Sequence, residues 1–177
     1  MAATTSEAGQ SIGPIVSSSH LADGAVPALS EVEFGMILSG HAFERWMVRC
    51  MTAAGEPGLT ATEILVLHAV THRGKPKRLA DICLVLGIED THLVTYAIKK
   101  LEAKALVMRE KTGKERLVQV SPSGKRACQR YRDLREKILI EGIAELGLSA
   151  ERMSDIAHLL RLLSGHYDQA ARTAASL

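Results

Sequence analysis

His92, Thr95, Tyr96 and Lys99 stand at i, i+3, i+4 and i+7, the spacing that puts four side chains on one face of a helix. Imidazole, hydroxyl, phenol and ammonium groups together can donate hydrogen bonds and carry positive charge. That chemistry suits base edges and phosphates in a DNA major groove. Thr91 and Lys100 adjoin the same face, with solvation or an ion pair to Glu102 or another nearby acid the alternative for Lys100. Val94, Ala97, Ile98 and Leu101 take the opposite side, and Asp90 suits the N-cap, so the spacing predicts a helix from about Asp90. An ordinary solvated helix face would read the same way in isolation, so the flanking elements decide.

Those elements supply a scaffold. After Leu106 the pattern turns to β type: Val107-Met108-Arg109, a turn at Thr112-Gly113-Lys114, then Leu117 to Val120. Lys114 and Arg116 on this hairpin are candidates for the DNA backbone or minor groove. Before the helix, Leu79–Leu86 reads as a short helix closed by Gly87, and Ile88-Glu89-Asp90 as a tight linker. Short helix, turn and second helix is the helix-turn-helix arrangement, with the first helix supporting the second. Lys75, Lys77 and Arg78 precede the supporting helix and are phosphate candidates. Thr60 and Glu63 signal another helix start, with Gly74 its expected end.

At the N-terminal side, Ser30 and Glu33 fit a capping box that opens a long helix to about Ala54. Its apolar stripe includes Val32, Met36, Phe43, Trp46, Met47 and Cys50, wider than one small neighbour would cover. A second subunit is the expected cover. Ser121 and Pro122 open a helix predicted to run to about Leu146, and Leu148-Ser149 opens the last one, with Ile156, Leu159, Leu160, Leu163 and Tyr167 in its stripe. Residues 1–29, rich in Ala, Ser, Thr and Gly, are expected to be a flexible tail.

Charge is uneven. Residues 73–132 carry 15 Lys/Arg against 6 Asp/Glu, net +9, while residues 1–72 are net −5 and residues 133–177 net −2. An anionic partner therefore belongs in the middle of the chain. No apolar run approaches the ~20 residues of a membrane span, and no secretory leader opens the chain, so a cytoplasmic location without membrane contact is expected. No phosphate loop, nucleophile elbow or zincin helix appears, which argues against an enzyme and against a bound cofactor. His68 and His72 are four apart but lack a third metal ligand. Cys50, Cys83 and Cys128 form no C-x-x-C pair, and buried thiols are the default reading.

In this order the chain resembles the MarR family of transcriptional regulators. Leu59-Thr60-Ala-Thr-Glu63-Ile-Leu-Val-Leu is similar to the family's second helix, and Leu79-Ala-Asp-Ile82 to its supporting helix. His92-Leu-Val through Leu101-Glu-Ala-Lys104-Ala-Leu-Val107 is similar to its recognition helix and first wing strand. Val118-Gln-Val-Ser121-Pro-Ser-Gly124 is similar to the close of the wing. The likeness spans about residues 32–170. It departs at Thr112-Gly-Lys-Glu-Arg116, which is short and lacks a leading Asp, at Ala105, where Gly is common, and in the long N-terminal tail.

The resemblance implies a mainly α fold of the α+β winged-helix kind: a helix-turn-helix with a β-hairpin wing at 59–122, flanked by dimerisation helices at 30–55 and 123–177. It implies a homodimer on a pseudo-palindromic duplex, tuned by a small molecule or an oxidant bound between the dimer region and the winged domain. His41, Trp46, Cys50, His68 and His72 lie on the first two helices, near where the family places ligands. The alternative is a winged-helix protein-interaction module without specific DNA binding.

Overall fold

The computed structural model describes residues 13–112 and 115–177. A single turn, α1 (Ser19–Ala22), precedes the long α2 (Pro27–Ala53) and the central α3 (Ala61–Thr71). A 3-10 turn at His72–Gly74 leads to β1 (Lys77–Arg78), α4 (Leu79–Leu86) and α5 (Thr91–Ala103). Strands β2 (Val107–Thr112) and β3 (Glu115–Val120) form the wing, followed by α6 (Pro122–Leu134), a π-type turn at Arg135–Ile140, α7 (Glu141–Ala144) and α8 (Ala150–Ala174).

Helix α3 organises the core. Thr60 Oγ1 accepts the Glu63 N–H at 3.3 Å and Glu63 Oε2 accepts the Thr60 N–H at 2.7 Å, the reciprocal cap that the sequence announces. Ile64, Val66, Leu67 and Val70 are buried on several sides of it, because α2, α4, α5, α6 and β3 all pack around it. Ile82 of α4 and Val94, Ala97, Ile98 and Leu101 of α5 complete that core. The sheet is antiparallel in the order β1-β3-β2, with Lys77 opposite Val118 and Val107 opposite Val120. Lys77 and Arg78, read from sequence as phosphate candidates ahead of the supporting helix, therefore form a strand; two residues are too short to show a period.

The root of the wing is fixed by one close approach. A Cβ on Gly124 would stand 2.0 Å from the Leu106 carbonyl oxygen, so only glycine fits. The Ser121 N–H donates to that carbonyl at 3.0 Å, and Ser121 Oγ donates to the Ala105 carbonyl at 2.6 Å. Ala105 itself has φ +55°, the left-handed position that ends α5, which explains why a glycine suits that place.

The N-terminal helix starts earlier than its capping signal suggests. Pro27 takes the first turn, and Ser30, expected as the cap, is buried with its hydroxyl donating to Leu21 O at 2.6 Å. Residues 13–29 are thus partly folded back: Ile15 N–H donates to Glu31 Oε1 at 3.0 Å. The helix predicted from Pro122 to Leu146 is interrupted by the π-type turn. The last helix starts as expected, with Ser149 Oγ accepting from Arg152 N–H at 3.3 Å. Within this one chain α8 buries no residue, and Tyr167 Oη donating to Glu33 Oε1 at 2.9 Å ties it to α2. Among the described residues no helix is long and apolar enough to cross a membrane.

Candidate nucleic-acid interface

Helix α5 is offered outward by two short devices. Gly87, with φ +63°, closes α4, and Ile88 N–H returns to Cys83 O at 3.0 Å. Asp90 Oδ1 then accepts the His92 N–H at 2.8 Å and starts α5. Burial of Val94, Ala97, Ile98 and Leu101 fixes the rotation of the helix. Thr91, His92, Tyr96 and Lys99 are consequently exposed, as the spacing predicts, and Leu93 beside them is exposed as well.

Thr95 is half-buried at the edge of that face. It lines a cleft of about 200 Å³ between α5 and the wing, together with Ile98, Arg109 and Arg116. Arg109, which sequence reasoning passed over, bonds Glu102 through Nε at 2.9 Å and so anchors β2 to α5. Its place in the β-type run Val107-Met108-Arg109 was the available signal, and the structure sets it opposite Val118. Arg116 is exposed on the hairpin. Lys114 lies outside the described residues.

Two of the expected phosphate contacts are engaged inside the domain. Lys100 Nζ pairs with Glu63 Oε2 at 3.0 Å, and that carboxylate is only 3% exposed. Lys77 Nζ donates to His72 O at 2.5 Å, Lys75 O at 3.2 Å and Val70 O at 3.3 Å, gathering the carbonyls that the end of α3 leaves open. Its pKa is lowered, first by loss of water and then by the nearby Arg73. Both side chains turn inward because buried acceptors without partners would cost more than a solvated ammonium gains. Lys75 and Arg78 are exposed.

The five candidate effector residues divide. Trp46, Cys50 and His68 gather around Tyr131 of α6, another residue missed from sequence. The His68 and Tyr131 rings meet edge to face with centroids 4.7 Å apart, and Cys50 Sγ lies 3.6 Å from Tyr131 O. Trp46 Nε1 is buried beside Tyr131. Gly124, Ala127 and Tyr131 form the buried side of α6, a helical spacing visible in the sequence. His41 and His72 are exposed and do not join. Burial lowers the His68 pKa and raises those of Cys50 and Cys128, the latter offset in part by Thr71, which contacts its Sγ at 3.5 Å. Among the described residues no three His, Cys, Asp or Glu side chains assemble into a metal site.

Comparison with known proteins agrees with this geometry. Residues 59–124 match the family model of a winged helix DNA-binding domain. A MarR-family transcriptional regulator from Rhodococcus sp. RHA1 superposes with a TM-score of 0.62 at 14% identity, covering 75% of this chain and 91% of that one. A cysteine-to-serine mutant of MarR from E. coli complexed with operator DNA gives 0.63 at 16% identity, covering 79% and 98%. CouR from Rhodococcus jostii RHA1, bound to p-coumaroyl-CoA, gives 0.60 at 14% identity, covering 75% and 90%. No curated protein matches. Residues 59–124 thus match a winged helix domain, and the chain around them shares the fold of solved MarR-family transcriptional regulators.

Proposed function

We propose that this chain is a sequence-specific DNA-binding transcriptional regulator, acting as a homodimer on a pseudo-palindromic operator. The observation that carries the reading is α5: one face locked into the core, the other presenting His92, Tyr96 and Lys99 to solvent in the region of net +9 charge. In a helix-turn-helix that outward face enters the major groove, and the hairpin reaches the adjacent backbone. Lys75, Lys99 and Arg116 are three exposed cations per subunit, and Arg78, exposed although engaged within the chain, is a fourth. Two subunits then neutralise roughly 6–8 phosphates, and log K against log salt should fall with a slope of about −5 to −7.

The dimer follows from surface that one chain leaves open. Met153, Ile156, Leu159 and Leu160 of α8 and Val32 and Phe43 of α2 are exposed apolar side chains. Each is worth ~1.5–3 kcal/mol when fully buried, and within one chain α8 buries no residue. A second copy covering both stripes resolves this.

Regulation is read from the cluster around Tyr131. It joins α2 and α6 of the dimer region to α3 of the winged domain, so a bound molecule there would change the spacing of the two recognition helices. The raised thiols of Cys50 and Cys128 favour a small molecule over an oxidant, because the thiolate is the reactive form. The CouR structure, with p-coumaroyl-CoA bound, is a fold relative that takes such a ligand.

The test is fluorescence-anisotropy binding to a duplex from the gene's own upstream region and to a scrambled duplex, across a salt series. Tighter binding to the native duplex with the steep slope supports the reading. Weak and equal binding to both, with no site enriched from a random pool, would favour a protein partner instead. Leu84 and Val85, exposed on α4, would then be the first surface to examine.

A further inference from the structure

The outward face of α5 carries an apolar component that hydrogen-bonding readout leaves unused. Leu93 is 54% exposed and Tyr96 67% exposed. They stand three residues apart in the first half of α5, as neighbours on the helix surface. The core side of the helix is already complete without them. His92 and Lys99 flank them, and Arg116 stands on the wing beyond.

The polar inventory of this face is thin. Residues 91–100 contain no Arg, Asn or Gln, the usual bidentate partners of guanine and adenine. Lys100 is held by Glu63, and Thr95 is half-buried in the cleft towards the wing. Thr91, His92, Lys99 and the Tyr96 hydroxyl remain as exposed donors, while Leu93 and the Tyr96 ring add exposed apolar surface. A partner that fits must be anionic at its margins and present small apolar groups between them. The major groove does this where thymines line its floor: phosphates on both sides, C5-methyl groups within.

We propose that Leu93 and Tyr96 are specificity-determining residues that read thymine methyl groups, so that each half-site carries thymine where the first half of α5 docks. This rests on the DNA-binding reading above. Methyl readout differs from hydrogen-bond readout in one measurable way. Deoxyuridine keeps every donor and acceptor of thymidine and lacks only the methyl.

The experiment uses the full chain. A duplex is selected from a random-sequence pool, and thymines in its half-sites are replaced by deoxyuridine one symmetric pair at a time. Burial of one methyl is worth roughly fourfold in affinity, so at one or two symmetric positions Kd should rise about fifteenfold. In Leu93→Ala or Tyr96→Ala the thymine-to-uracil ratio at the matching position should fall towards one, with the salt slope unchanged. Both side chains are solvent-facing, so these variants should keep the wild-type urea midpoint. The deoxyuridine series on wild-type protein needs no variant at all. An enriched duplex whose Kd ignores every deoxyuridine substitution, or half-sites without thymine, would overturn this inference and leave DNA binding intact. A pool in which no duplex is enriched would overturn both.

Discussion

Lys99 and Lys100 are adjacent in sequence and similar in chemistry, yet the fold sends them to different work. Lys99 points outward and makes no ion pair among the described residues; Lys100 Nζ sits 3.0 Å from the buried Glu63 carboxylate. Replacing each by alanine should therefore split two observables. In the proposed dimer on DNA, Lys99→Ala would remove one phosphate contact per subunit and should flatten the salt slope by about 1.8 while moving stability by less than ~0.5 kcal/mol. Lys100→Ala strips a partner from a carboxylate that is 3% exposed. Breaking a fully buried pair costs ~3–5 kcal/mol. Lys100 is a third exposed and the Thr60 N–H still bonds Glu63, so about 1–2 kcal/mol is expected here. Its salt slope should change by less than half as much as that of Lys99→Ala. Urea unfolding at one fixed protein concentration reads the first quantity, since a dimer's stability depends on concentration. Anisotropy titrations across salt read the second. Glu63→Gln adds a converse arm: the amide still caps α3, but Lys100 is released towards the groove and the slope should steepen. Equal slope losses for the two lysines, with no stability cost at Lys100, would refute the division of labour.

Other outcomes follow from single contacts. Gly124→Ala drives a Cβ to 2.0 Å from the Leu106 carbonyl and 2.9 Å from Val120 Cγ2; backbone must shift, and a loss of about 3 kcal/mol in urea unfolding is expected. An unchanged midpoint would mean that α6 does not seat on the wing root. The folded-state pKa of His68 lies below its ordinary 6.5 because the ring is buried. The unfolded chain then binds the proton more readily, so stability should decline as pH falls below about 6.5 and level off beneath the lowered pKa. His68→Phe keeps a ring against Tyr131 and should flatten that decline; identical pH profiles for the two proteins would place the acid sensitivity elsewhere. Leu159→Glu, on exposed α8, should leave the monomer fold intact while sedimentation shows loss of dimer and anisotropy shows loss of operator binding. A variant that stays dimeric would remove α8 from the interface.

The contrast between the lysines also marks where sequence reading stops. Periodicity locates α5 and its faces because Val94, Ala97, Ile98 and Leu101 can satisfy only one rotation of the helix. Local caps are equally legible: Thr60 with Glu63, Asp90 and Ser149 all act where the residue types announce them. What periodicity fixes is the direction of a Cα–Cβ bond. A lysine has four further carbons, and its ammonium goes to whichever tertiary acceptor is most in need. For Lys100 that is a carboxylate on α3, 37 positions earlier; for Lys77 it is the open carbonyls at the end of the same helix. Ser30 fails as a cap for the same reason, its hydroxyl being drawn to Leu21 O by a segment that folds back over α2. Tyr131 escaped notice because its partners, Cys50 and His68, come from two other helices. On the proposed DNA-binding reading, the surface offered to DNA is thus smaller in cations than a count of the sequence suggests, and proportionally richer in Leu93 and Tyr96. That shift, visible only once the inward-turned ammonium groups are subtracted, is why the proposed sequence preference is assigned to methyl contact rather than to charge.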